Sequence, residues 1–448
     1  MDSTQIEKLL QGLKAQGAAY TELREAANGK LVTLPEGMAS VLGSRRRKSV
    51  PVLGVAIEAI SNKVFTKAIS AETATVTKLL QGWLTANRWL RLERALYRAV
   101  SRDGHAFLLV TWEGGLPKLT VGEAYDSVEG AALVEGVGVN VYKLGKHFCA
   151  DFYYPERVEK YIQKDGENEW LHRQDAPDEP WPLDWTDLDG NPLGVALVRV
   201  GDGDSDIAAA LQVQRDLNEG LLDLTAVSRT QGWPQRYTAG DEGGDFLTNA
   251  NGQPLRTITG VPIKREVKLE PGSVMQLKGQ HAKLDQLAPA KTDRTLVDVH
   301  LELISLLTTV PTHYFNGQWP SGVALLQAES RLNARVEDHQ GVITEAIVAA
   351  ARLMLRLART FGGVALDTEQ AIAVEWHPPQ VETEDLVRER ETATVNLYKE
   401  GLLSLRQAIV RLHPDWTEEQ LDAEEAALKP APAAPVAVVP VETQTLRA

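Results

Sequence analysis

Cysteine is almost missing: Cys149 stands alone in 448 residues, which excludes an internal disulfide framework and any multi-cysteine metal cluster. Histidine is sparse too, nine residues scattered singly with no H-E-x-x-H pairing, so no zinc hydrolase of that kind is expected. No apolar run approaches the ~20 residues that cross a bilayer. Met1-Asp2-Ser3-Thr4 carries neither the basic nor the apolar part of a secretory leader. The phosphate-cradling G-x-x-x-x-G-K-S/T pattern is absent, as is a G-x-S-x-G elbow, which sets aside P-loop motors and hydrolases built on that turn. Positive charge is in deficit: 47 Lys and Arg against 61 Asp and Glu leave a net charge of −14. What is present is ordinary, 43% hydrophobic and 24% charged residues, enough for two to four packed domains. An acidic, soluble, intracellular protein is expected.

Helical and strand signals alternate through the first ~130 residues and point to an α+β fold. Ile6, Leu9, Leu10 and Leu13 predict a short amphipathic opening helix, and Thr77 to Val100 predicts two helices or one broken one. Strands are expected over Ala106–Trp112, Val137–Leu144, Phe148–Tyr154 and Leu193–Val200. Lys164-Asp165-Gly166 reads as a hairpin turn between Arg157–Gln163 and Glu169–Arg173. Between Asp165 and Asp206 the local balance is 2 − 12 = −10. Ile207–Arg229 then reads as a long helix with Asp206 as its N-cap. A Gly- and Thr-rich stretch follows, with short β runs at Pro254–Ile258, Pro262–Val267 and Val274–Leu277. Beyond it come a helix over Thr295–Val310, stopped by Pro311, and the longest helix, Val323–Phe361, about 58 Å at ~1.5 Å per residue. A strand over Ala371–Trp376 and helices over Glu384–Tyr398, Ser404–Leu412 and Thr417–Leu428 precede a Pro/Ala/Val tail expected to be mobile.

Few patterns suggest chemistry. Gly136-Val137-Gly138 lacks the third glycine of a dinucleotide site. Asp202-Gly203-Asp204-Ser205-Asp206 mimics the start of a calcium loop, but Ile207 and Val213 stand where glycine and a bidentate glutamate belong, so a solvated turn is expected. Cys149 lies inside an apolar strand run and reads as an inert buried thiol. No catalytic constellation, cofactor or metal site is expected. From Leu255 to Arg294 the bases Arg256, Lys264, Arg265, Lys268, Lys278, Lys283, Lys291 and Arg294 face four acids, a local +4 that is either a solvated face or a contact with nucleic acid or an acidic partner. Gly341, mid-helix, predicts a kink or a close packing contact.

Four stretches together resemble a tailed-bacteriophage portal protein, of the type found in siphoviruses of Gram-positive hosts. They are Trp83–Asn87 with Ala99–Val110 (AVSRDGHAFLLV), Tyr153–Tyr161 (YYPERVEKY), Ser205-Asp206-Ile207 with Leu217-Asn218 and Leu221–Leu224, and Val310-Pro311 through Ser321–Leu325. The resemblance covers residues ~80 to ~330, and the first ~50 residues and the tail lie outside it. It implies a non-enzymatic ring, usually a dodecamer, at one capsid vertex of the virion, assembled in the host bacterial cytoplasm without a membrane. The ring would pass viral double-stranded DNA and dock the terminase large subunit, a head–tail adaptor, and the major capsid and scaffolding proteins. By analogy 1–205 would be the wing, 206–230 and 291–310 the stem helices, 231–290 the clip and 311–321 the tunnel loop. The long kinked helix with wing closure would take 322–383, a helical crown 384–428 and a disordered tail 429–448.

In the tunnel loop His313, Tyr314, Asn316, Gln318 and Trp319 would touch DNA through neutral donors and aromatic edges. Alternatively its aromatics plug the loop against the helices. Lys264, Arg265, Lys278, Lys283, Lys291 and Arg294 are further candidates for DNA or partner contacts, and Gly341 for the kink. Two other readings stand beside this one: an α+β hydrolase without a recognisable motif, and a monomeric head-completion or scaffolding protein.

Overall fold

Asp2 opens the first helix, α1 (Ser3–Asn28), with a capping box. Its carboxylate accepts from the Gln5 amide at 2.7 Å and the Gln5 side chain accepts from the Asp2 amide at 3.0 Å. The computed structural model describes residues 2–34, 36, 39, 43, 46–167, 169–232, 236–239, 247, 249, 251, 253–263, 283–286, 295–320, 323–379, 384–413, 416 and 418–428. They fall into two compact units, residues 1–320 with 327–379, and residues 321–326 with 380–448.

In the larger unit α1 is longer than its four leading aliphatics predict, because Leu23 and Ala27 continue the buried stripe. After it come an antiparallel ribbon, β1 (Leu31–Thr33) with β2 (Arg46–Lys48), then α2 (Val52–Ser61), β3 (Thr66–Ala71), α3 (Ala74–Ala86) and α4 (Trp89–Asp103). The helix break expected between residues 77 and 100 is at Arg88, which is left-handed at φ 54°. Next follow β4 (Ala106–Glu113), β5 (Leu116–Glu123), β6 (Gly130–Val134), β7 (Val137–Leu144), β8 (His147–Tyr153), β9 (Arg157–Gln163), β10 (Trp170–His172), β11 (Leu183–Asp184) and β12 (Leu197–Val200). β12, β4 and β5 form one antiparallel sheet; β10-β9-β8-β7-β6 form another, with β11 beside β9. Gly136, with Glu135, makes the left-handed turn between β6 and β7. β12 is shorter than the expected 193–200 strand. Its first residues are held elsewhere: Leu193 N donates to Trp185 O, Gly194 N donates to Pro155 O, and Trp185 Nε1 donates to Gly194 O.

α5 (Leu211–Gly232) begins from a single 3-10 turn, Ala208–Ala210. The strands β13 (Arg236–Ala239) and β14 (Lys283–Gln286) pair antiparallel, and α6 (Thr295–Thr308), the one-turn α7 (His313–Asn316), α8 (Val323–Thr360) and β15 (Ile372–Trp376) follow. β15 returns to pair with β3, Ile372 opposite Ala71. The main core joins Leu53, Ile57 and Ile60 of α2, Leu96 and Tyr97 of α4, Leu108 and Val110 of β4, and Leu332, Val336, Ile343, Ile347, Met354 and Leu357 of α8. A second core sets Ile6, Leu10 and Leu13 of α1 against Val139, Val141, Phe152 and Tyr161 of the larger sheet. Cys149 is fully buried in β8, and burial pushes its thiol pKa up.

The smaller unit contains α9 (Glu384–Lys399), α10 (Leu405–Leu412) and α11 (Glu418–Leu428). Ser404 caps α10 with Gln407, and Arg406 binds three carboxylates on one face of α11: Glu418, Asp422 and Glu425, the last at 3.0 Å. The tail from 429 lies outside the described residues.

Candidate functional site

α5 and α6 pack on each other and carry the inserted β13–β14 ribbon between them. Beyond the ribbon a short turn is closed by backbone bonds, Ile263 N to Leu255 O and Thr257 N to Val261 O, both 2.8 Å. The expected strand at 254–258 reduces here to isolated bridges, Arg256 with Pro262 among them. Leu247, Leu255, Ile258 and Val261 of this segment face solvent. Lys283 lies in β14 opposite Ala239; Lys264, Arg265, Lys278, Lys291 and Arg294 lie outside the described residues.

α6 buries Ile304 and Thr308 and half-buries Val297 and Leu301. Its other side is also apolar: Leu296, Val299, Leu303, Leu306 and Leu307 are 41–61% exposed. Leu296 lies beside Gly220 of α5, and Val299, Leu303 and Leu306, stepping by four and three residues, continue the stripe on the exposed side as in the seam of a coiled coil.

The segment expected as an irregular loop at 311–321 contains the helical turn α7, and its residues part company. Thr309 turns the chain at φ 60°. His313 is 4% exposed, its Nε2 3.7 Å from Glu329 Oε1, and burial lowers its pKa. Tyr314 donates to Glu329 Oε1 at 3.0 Å; burial, then Glu329, raises its pKa. Lys63 donates to Glu329 Oε2 at 2.8 Å, to Asn333 Oδ1 at 3.0 Å and to Pro379 O at 3.2 Å. Burial pushes the Glu329 carboxyl up, but Lys63 and Tyr314 outweigh it and hold it below its usual range. Asn316 and Gln318 are exposed, joined by the Gln318 amide donating to Asn316 Oδ1 at 2.8 Å. Trp319 is 58% exposed and meets the His313 and Tyr314 rings at 4.5 and 5.1 Å. Of the five loop candidates, Asn316, Gln318 and Trp319 are thus presented to solvent, whereas His313 is inside. Lys63 and Glu329, which anchor the turn, carry no sequence motif.

Asp206 is a correction. It caps no helix: the turn at 208–210 has Ile207 at its N-cap position, and the Asp206 side chain is buried. It accepts from Ser101 Oγ at 2.6 Å, Arg335 Nε at 2.6 Å and His339 Nε2 at 2.9 Å, tying the end of α4 and the start of α5 to α8. Burial pushes its carboxyl up, but His339, Arg335 and Ser101 outweigh it and hold it low. Among the described residues no three His, Cys, Asp or Glu side chains are placed to hold a metal, and no helix is long and apolar enough to cross a membrane. The helix α8 is uninterrupted through Gly341, where a Cβ would meet nothing within 4 Å. The close-packing explanation for that glycine fails.

No known family and no curated protein matches the chain. Among solved structures it is similar to a chain from the neck of an empty gene transfer agent (GTA) particle, with 13% identity, TM-score 0.46, and 86% of this chain and 95% of that one covered. A chain from the virion of a native GTA particle gives 14%, 0.45, and 88% and 98%. A chain from the neck of a native GTA particle gives 15%, 0.41, and 86% and 95%.

Proposed function

We propose that this chain is a portal subunit: a non-enzymatic ring former at a capsid vertex of a phage-like virion, through which double-stranded DNA passes in packaging and ejection. The observation that carries the reading is the open seam of α6. Burying each of its leucines is worth roughly 1.5–3 kcal/mol, and the occupant that fits is a second copy. In this reading the seam meets a different face of the neighbouring copy, so the contact is head-to-tail, and a head-to-tail contact that closes makes a ring. Here α5 and α6 are the stem, and the inserted module over 231–290 is the clip that neighbours complete. That clip docks the terminase large subunit and later the adaptor. Asn316, Gln318 and Trp319 offer DNA neutral and aromatic contacts that hold phosphates weakly. A net charge of −14 suits a channel in which the duplex slides, since a basic wall would retain it through counterion release.

Mass photometry tests assembly. The expected result is a discrete species near about twelve times 49.1 kDa, reduced to monomer in Leu303→Glu/Leu306→Glu. A stable wild-type monomer overturns the reading.

A further inference from the structure

Arg45-Arg46-Arg47-Lys48 is the densest positive run in a chain of net charge −14, and neither the seam nor the loop employs it. Three of its residues form β2, with Val32 opposite Arg47 and Leu31 opposite Lys48. The ribbon has a rigid seat. Ser49 N donates to Lys30 O at 2.9 Å, and Lys30 N donates to Ser49 Oγ at 2.8 Å. On α5, Asn218 accepts from the Val50 amide at 2.8 Å and Gln214 accepts from the Leu53 amide at 2.6 Å. Gly29 enters the ribbon at φ 81°, where a Cβ would stand 2.7 Å from Ser49 O. A basic strand is therefore fixed along the helix read above as stem.

Between the ribbon, α1 and α5 runs a groove of about 550 Å³. Two of its cations are spent within the chain: Lys30 pairs with Glu25 at 2.5 Å, and Arg215 pairs with Glu22. Arg47 and Lys48 make no ion pair with a described residue, and Glu219 is the one further carboxylate in the lining. No aromatic side chain lines the groove, so it lacks the anchor that carries most protein interfaces. Arg47 and Lys48 are successive strand residues and leave the ribbon on opposite faces, but both border the groove and together offer two unpaired cations to a polyanion. We propose that the β1–β2 ribbon, through Arg47 and Lys48, binds the phosphate backbone of duplex nucleic acid without reading its bases. The proposal rests on the portal reading, because that reading brings α5 alongside the duplex.

The test is fluorescence anisotropy of the full-length protein with a labelled mixed-sequence duplex across a salt series, with mass photometry of the same samples. Each neutralised phosphate contributes about 0.9 to the slope of log K against log salt. Arg47→Gln/Lys48→Gln is therefore expected to lower the slope by about 1.8 for any duplex sequence, with particle size unchanged, while Arg47→Lys keeps the wild-type slope. An unchanged slope in the double variant overturns the proposal. So does an Arg47→Lys variant that loses as much as the glutamine form, since the loss is then one of fold. Polyglutamate competing as well as duplex also overturns it, assigning the groove to an acidic protein. The readouts separate the two ideas: a slope change in a monomeric protein sinks the ring alone, and an unchanged slope in an intact ring sinks the ribbon alone.

Discussion

Asp206 and Asp151 show how two buried carboxylates pull stability in opposite directions with pH. Asp206 is held low by His339, Arg335 and Ser101 against its burial, so its contribution is present above the unfolded carboxylate range, about 3.9, and is lost as pH falls through its folded pKa. Asp206→Asn leaves Arg335 without its carboxylate and is expected to cost about 3 kcal/mol or more, read as a lower urea midpoint at unchanged slope. Asp151 is different: burial, outweighing Arg173, pushes it up to about 6. Its folded form holds the proton more tightly, so that contribution is complete below about 3.9 and is lost as pH rises through about 6. Asp151→Asn should flatten this limb of the stability profile and leave the acid limb in place. Gly341→Ala is expected to stabilise by roughly 1 kcal/mol, since the added methyl meets open space; destabilisation would mean the helix needs the glycine's backbone freedom. Little of this was legible beforehand. Arg335 and His339 stand four apart and must share a helix face, but nothing in the spacing says that the face meets Asp206, 129 residues away from Arg335.

Among the elements, β7 lies where its apolar run puts it, β9 where the Lys164-Asp165-Gly166 turn puts it, and α8 ends within a residue of its predicted terminus. α1 was underestimated because Gly12 and Gly17 thin its stripe. Gly17 is there for contact, since a Cβ would come within 2.4 Å of Ser127 N. β5 and β6 went unseen because Pro117, Lys118 and Gly122 interrupt the first and the second is five small and aliphatic residues long. The turn α7 was missed because its order comes from Lys63 and Glu329, remote in sequence. Removing that anchor should free it: Tyr314→Phe with Glu329→Gln is expected to raise protease cleavage within 309–320 several-fold and, by leaving the Lys63 ammonium without its carboxylate, to cost about 3 kcal/mol or more globally. Asn316→Asp/Gln318→Asp, both at exposed positions, should reduce DNA packaging without altering ring size. Normal packaging in that variant removes the loop as a DNA contact.

For the whole molecule, the α+β class followed from the alternation of periods, whereas the association of distant segments did not. Deleting 240–285 is expected to leave a folded chain by circular dichroism and thermal melting, because Leu247, Leu255, Ile258 and Val261 of the module are exposed, but one that no longer binds the packaging motor. The pairing of β3 with β15 sets a further condition. Thr66 finds its partner only when Trp376 has been made, and Leu332 to Leu357 of α8 fill the same core. At ~5–20 residues per second of synthesis, the first-made part waits roughly 15–60 s for its closing strand. Throughout that interval Leu53, Ile57 and Leu96 lack the α8 side chains that cover them. The nascent chain is therefore expected to need chaperone cover until residues 332–376 have emerged, and to close its main core only after them.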